Sequence, residues 1–195
     1  MEDLIVLDNA ISKELQDFIE DNLTKSYFGF PWLFVDNITS PSIPDKLKKI
    51  GSIGFAHPMM QDDKVISNKL EIVYPIVEEI TNNLQIEFKS LSNARAFMHV
   101  PHQPKNREYD FVHVDMVHPH RVILYYVNDS DGDTYIFDRK YNQNDDFDKI
   151  NIIDLPIRKK ITPKKGRAVI FDGMIYHASS PPSDKIRCIV NFGLV

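Results

Sequence analysis

Val122-Ile123-Leu124-Tyr125-Tyr126-Val127, then Asn128-Asp129-Ser130-Asp131-Gly132-Asp133, then Thr134-Tyr135-Ile136-Phe137: this stretch decides the fold class. The first and last blocks are β-branched, apolar and aromatic, the composition of strands, and the middle block is polar with a glycine. Residues of that middle type suit a tight turn, so the stretch is expected to form a hairpin.

The same alternation of short extended runs and turn residues continues on both sides. Ile86–Val100, Phe111–Asp115, Ile150–Leu155, Arg167–Phe171 and Ile186–Phe192 are further candidate strands. Many short strands without helices between them indicate an antiparallel sandwich or barrel. A double-stranded β-helix, the cupin-like jelly roll, fits their number. Upstream the pattern differs. Leu4–Leu7 is a short apolar run, and Ser12 followed by Leu15, Phe18, Ile19 and Leu23 has the cap and spacing of an amphipathic helix. Leu70, Val73, Val77, Ile80 and Leu84 have helical spacing too, with Pro75 expected to kink or interrupt the helix. Tyr27–Met60, rich in proline and aromatics (Phe28, Phe30, Pro31, Trp32, Phe34, Pro41, Pro44, Phe55, Pro58), has no steady period and reads as irregular structure beside the site. The expected class is mostly β with flanking N-terminal helices. One domain over residues 1–195 is expected, with 1–85 as helical support and irregular segment and 86–195 as jelly-roll core.

Composition narrows the function classes. At 195 residues and 43% hydrophobic, the chain can bury one sizeable core. A net charge of −5 offers no broad attraction for nucleic acid, and no apolar run near 20 residues is present to span a membrane. The single cysteine, Cys188, excludes an intrachain disulfide and suits a reducing compartment, and Met1–Asp8 lacks the basic and long apolar regions of a signal peptide. A cytoplasmic location is therefore expected; nothing in the sequence sets an oligomeric state.

The chemistry concentrates in Phe111-Val112-His113-Val114-Asp115, with His177 and, ten residues beyond it, Arg187. In an extended segment His113 and Asp115 point to one face and Val112 and Val114 to the other. Two imidazoles and one carboxylate can bind one face of an octahedral metal and leave the other positions open. Chance alone supplies roughly 0.7 His-x-Asp tripeptides at this composition, so the surroundings must carry the reading. His118-Pro119-His120 reads as a solvated connection. Asp129, Asp131 and Asp133 imitate a calcium loop, but Lys140 stands where that loop needs glutamate.

From about Arg95 onward the sequence resembles the 2-oxoglutarate and Fe(II)-dependent oxygenases, in particular the prolyl 4-hydroxylase-like branch. The resemblance rests on ordered blocks: His113-x-Asp115, Ile123–Asn128, Gly132-Asp133-Thr134, Pro163–Phe171, His177-Ala178 and Arg187. The N-terminal third is only loosely similar, with a phage-like or bacterial cast. The resemblance implies that His113, Asp115 and His177 bind Fe(II), that 2-oxoglutarate and O2 are co-substrates, and that Arg187 pairs with the far carboxylate of 2-oxoglutarate. It places Tyr126 on that same carboxylate, with Tyr125 its neighbour on the opposite face, and puts His99 where related enzymes have another pocket tyrosine. It implies hydroxylation of an unactivated C–H bond with release of succinate and CO2, on a prolyl or other amino-acid-type substrate, peptide or small molecule. Ile189 replaces the serine that plant-type members have two residues after the arginine. Gly193 replaces the second arginine of the nucleic-acid demethylases, which lowers the nucleic-acid reading. The competing class is a cupin-like module binding Mn, Ni or Zn. Arg95 and Arg121 are open between surface and pocket.

Overall fold

The computed structural model describes residues 3–25, 29–38, 52–102, 108–151 and 153–195. In chain order these form β1 (Leu4–Leu7), α1 (Lys13–Thr24), β2 (Leu33–Val35), β3 (Gly54–Gln61), β4 (Lys64–Val65), α2 (Leu70–Leu84) and β5 (Leu91–His99). There follow β6 (Arg121–Tyr126), β7 (Thr134–Lys140), α3 (Phe147–Ile150), β8 (Ile157–Ile161), β9 (Ala168–Asp172), β10 (Ile175–Ser179) and β11 (Arg187–Leu194). The larger sheet runs β1-β9-β6-β11-β5-β3-β2, with β4 paired to β3, and the smaller runs β10-β7-β8. All these pairings are antiparallel. The architecture is the expected jelly roll with N-terminal helices.

The sequence of β6 is apolar almost throughout because both its faces are covered. Val122, Leu124 and Tyr126 pack with Ile136 and Ile175 of the smaller sheet. Ile123 and Tyr125 face the other way, into a cluster that α1 and α2 complete through Ile19, Leu23, Val73, Ile76, Val77 and Ile80. The same division holds on β11. Ile189 joins the layer between the sheets, while Cys188, Val190 and Phe192 join the helix-covered layer.

The helices differ from expectation in detail. Ser12 precedes α1, but its amide and hydroxyl both bond to Glu79 of α2, at 2.6 and 2.9 Å, so it ties two helices together. Pro75 neither breaks nor ends α2. A mid-helix proline costs about 3 kcal/mol, and each fully buried Val or Ile contributes about 1.5–3 kcal/mol, so Val73, Ile76, Val77 and Ile80 together outweigh it. The carbonyl that Pro75 cannot serve belongs to Glu71, which is exposed to water.

Several expected elements need correction. Asn128–Asp133 is no hairpin turn: β6 pairs with β9 and β11, β7 with β8 and β10, so the link crosses between sheets. Its geometry is fixed by Asp131, whose carboxylate accepts from the amides of Ser183, Asp184 and Lys185. The described residues of Ile150–Leu155 form no strand. Asp146 caps the short α3 by accepting from the amides of Asp148 and Lys149, and the real strand, β8, begins at Ile157. Within Tyr27–Met60, Leu33–Val35 and Gly54–Gln61 are strands and not irregular. Phe28, Pro41, Pro44 and the rest of 39–51 lie outside the described residues.

Candidate metal and co-substrate site

His113 and Asp115 do not sit in a regular strand. Their segment makes a single bridge, in which the backbones of His113 and His177 exchange two hydrogen bonds of 3.0 Å each. The alternation expected for an extended segment still holds: Val112 and Val114 are buried, against Tyr135 and Phe137 on the outer face of the smaller sheet, and His113 and Asp115 face the pocket. Asn151, at the end of α3, supplies the missing strand partner. Its side chain accepts from the Val112 amide at 2.7 Å and donates to the Val112 carbonyl at 3.0 Å.

One ligand atom each from His113, Asp115 and His177 lies within 4.8 Å of the others, the spacing of a site that could hold one metal ion. His113 Nδ1 faces the Phe111 carbonyl at 3.0 Å and His177 Nδ1 the Ile175 carbonyl at 3.1 Å. A carbonyl only accepts, so each Nδ1 carries a proton and each ring turns its Nε2 toward the cluster. Burial, followed by the neighbouring His177, pushes His113 down to about 4. Burial alone would raise the Asp115 carboxyl, but contact with His177 and the Arg95 guanidinium holds it well below the usual carboxylate range. Both groups are thus in the ligating form at neutral pH.

The closed end of the pocket centres on Arg187, the largest fully buried side chain, at 1% exposure. Its Nη2 donates to Thr134 Oγ1 at 2.8 Å and its Nη1 to His99 Nε2 at 3.1 Å. Because His99 accepts through Nε2, its proton sits on Nδ1, which is buried with no partner among the described residues, as is Arg187 Nε. Burial, then the adjacent Arg187 charge, holds His99 well below its ordinary value, so it stays neutral. Tyr126 donates to Thr134 Oγ1 at 2.7 Å and its ring lies 5.7 Å from the guanidinium, whereas Tyr125 points into the helix-covered layer. Among the described residues no carboxylate forms an ion pair with Arg187. Asp110 and Asp133 act on the guanidinium only from a distance, and a buried cation without a contacting counter-charge is costly unless a ligand supplies one. A dicarboxylate reaching from the triad to Arg187 fits that demand, so the residues present suit both Fe(II) and 2-oxoglutarate.

One pocket is lined by His113, Asp115, His177, His99, Thr134 and Arg187, together with Arg95 and Asn191. Thr134 stood in the Gly132-Asp133-Thr134 block without a role of its own, and Arg95, open between surface and pocket in the sequence, lines the pocket. The contacts of Arg95 and Asn191 with Asp115 span 20 and 76 residues of sequence and have no local signal. Arg121, in contrast, stands opposite Asp172 at the start of β6 and is not part of this lining. His120 is not solvated: it is 8% exposed, and a Cβ at Gly173 would run into its ring. Lys160 pairs with Asp133 at 3.1 Å and Lys165 with Glu20 at 2.6 Å, so the lysine-rich stretch from 159 to 165 is largely neutralised.

No protein-family model matches the sequence, and no curated protein matches it. Solved structures do. A prolyl hydroxylase from Trichoplax adhaerens, in complex with a hypoxia-inducible-factor oxygen degradation domain peptide, superposes with a TM-score of 0.64 at 10% identity, covering 98% of this chain and 83% of that one. A Pseudomonas putida prolyl-4-hydroxylase gives 0.59 at 10% identity, over 100% and 92%. The viral collagen prolyl hydroxylase of Paramecium Bursaria Chlorella virus-1, solved with 2OG, gives 0.52 at 13% identity, over 99% and 95%. The chain therefore has the fold of the prolyl hydroxylases and related 2OG-Fe(II) oxygenases.

Proposed function

We propose that this chain is a 2-oxoglutarate- and Fe(II)-dependent dioxygenase that hydroxylates an unactivated C–H bond of a prolyl or other amino-acid-type substrate, releasing succinate and CO2. The observation that carries the reading is Arg187: a guanidinium at 1% exposure, without an acidic partner among the described residues, closing a pocket whose other residues include the His-Asp-His cluster. A cupin-like module that only bound a metal would not require a buried cation at this place.

The assigned roles follow from the contacts. His113, Asp115 and His177 would hold the iron on one face, and the iron with 2-oxoglutarate would supply the oxidising chemistry. Arg187 anchors the far carboxylate of 2-oxoglutarate through its planar fork, oriented by Thr134. Tyr126 supports that anchor through the shared Thr134 hydroxyl. His99 offers its unpartnered Nδ1–H to the same ligand without adding charge. Prolyl-type substrates are favoured by the likeness to the three prolyl hydroxylases, one solved with a peptide. Nucleic acid is disfavoured by the ion pairing of Lys160 and Lys165.

The test is anaerobic addition of Fe(II) and 2-oxoglutarate to the metal-free chain, followed by visible absorption, and then succinate release on admitting O2. A weak visible band that requires both additions, and succinate formation lost in His177→Ala, are expected. Absence of both signals in the unaltered chain would sink the oxygenase reading. A panel of prolyl peptides, free amino acids and oligonucleotides then reads the substrate class through stimulated succinate release.

A further inference from the structure

Asp115 is the ligand least supported by its own backbone, since only His113 within its segment makes a bridge. Its carboxylate is held instead from the larger sheet. Arg95 Nη2 donates to Oδ1 at 2.9 Å, and Asn191 Nδ2 donates to Oδ2 at 3.0 Å. Carboxylate oxygens only accept, so the amide nitrogen of Asn191, and not its oxygen, must face Asp115. Arg95 and Asn191 are register partners on β5 and β11, in the middle of the most extensive pairing of the sheet. Both sacrifice other bonds for this contact: Arg95 Nε and Asn191 Oδ1 are buried with no partner among the described residues.

The two oxygens of Asp115 are not equivalent. Oδ2 lies 3.6 Å from His177 Nε2 and so faces the ligand cluster, while Oδ1 is turned to the guanidinium. We propose that Arg95 and Asn191 are positioning residues that hold Asp115 as a one-oxygen ligand, Oδ2 toward the metal and Oδ1 engaged by Arg95. This inference rests on the metal reading of the triad. Its consequence is that Oδ1 is kept from occupying a second coordination position, which the chemistry needs open. Partners behind a metal ligand commonly control affinity in this way.

Co(II) titrated into the metal-free full chain, without 2-oxoglutarate or O2, tests this through its visible spectrum. Arg95→Met, which keeps the bulk of the stem, and Asn191→Ala are each expected to weaken Co(II) binding by about 10- to 100-fold and to change the band shape. Arg95→Lys, which retains a charged donor, is expected to recover most of the affinity, a rescue that space-filling alone would not produce. Unaltered chain that binds Co(II) while Arg95→Met and Asn191→Ala match it in affinity and spectrum overturns the positioning role alone. An unaltered chain that fails to bind Co(II) overturns both this role and the metal reading.

Discussion

The two ends of the pocket are built differently. At the closed end Arg187, His99, Thr134 and Tyr126 all lie on regular strands, are nearly or fully buried, and bond to one another. At the open end His113 and Asp115 lie on a segment with one bridge, and their position is borrowed from distant side chains: Asn151 for the backbone of Val112, Arg95 and Asn191 for the carboxylate of Asp115. The closed end suits recognition of an invariant ligand.

The sharpest way to separate the ends is to remove one ligand from each. His177→Ala is expected to abolish Fe(II)-dependent succinate release altogether, whereas Thr134→Val, at the closed end, is expected to leave metal binding intact. Next in size is a pH effect at the anchor of the open end. Asp110 bonds through its amide to the Ser179 carbonyl and accepts from the Ser52 hydroxyl at 2.6 and 2.8 Å. Burial pushes it up to about 6 from an ordinary 3.8. A raised carboxyl folds without penalty when protonated, so the contribution of Asp110 to stability is full below about 4 and is lost as pH rises through about 6. The loss is at most about 3 kcal/mol. Asp110→Asn should remove that decline in urea titrations between those limits, and an unchanged profile would show that another group carries it.

Thr134→Val follows. It leaves the Tyr126 hydroxyl and one Arg187 donor unpaired, a cost of about 1–3 kcal/mol that should appear in thermal unfolding and as weaker 2-oxoglutarate binding. Calorimetry showing unaltered 2-oxoglutarate affinity would break the assignment of Thr134 to the closed end. The smallest expected effect belongs to Asn151→Ala, which removes two bonds to Val112 worth roughly 1 kcal/mol each. It should weaken Co(II) binding while leaving the spectrum shape unchanged, because the carboxylate remains held by Arg95 and Asn191.

The same contrast explains what was legible in the sequence. Strand alternation alone puts Arg187, Ile189 and Asn191 on one face of the C-terminal run, and β11 keeps that alternation because it is a long strand buried along its whole length. The choice of Tyr126 over Tyr125 likewise follows strand alternation once one face is known. At the open end periodicity gave the facing of His113 and Asp115 but not their support. Asn151 lay inside a supposed strand, and the pairing of Arg95 with Asp115 has no local signature. Asn128–Asp133 misled because turn composition says that the chain changes direction, and not which sheet the next strand joins. The strand β8 was hidden by Arg158-Lys159-Lys160, charges that an exposed edge tolerates, and β3 by Gly54 and Pro58, which interrupt its period.

On the proposed reading, the buried charge of Arg187, which no carboxylate contacts among the described residues, receives the second carboxylate of 2-oxoglutarate. Calorimetric binding of 2-oxoglutarate and of 2-oxopentanoate, which has the same five carbons but ends in a methyl group, to the Co(II)-loaded unaltered chain tests it without disturbing the fold. Losing a bond to a charged group costs about 1.5–3 kcal/mol, so 2-oxopentanoate should bind roughly 10- to 150-fold more weakly. Equal affinity for the two acids would contradict the account, for it would mean that Arg187 does not meet the ligand.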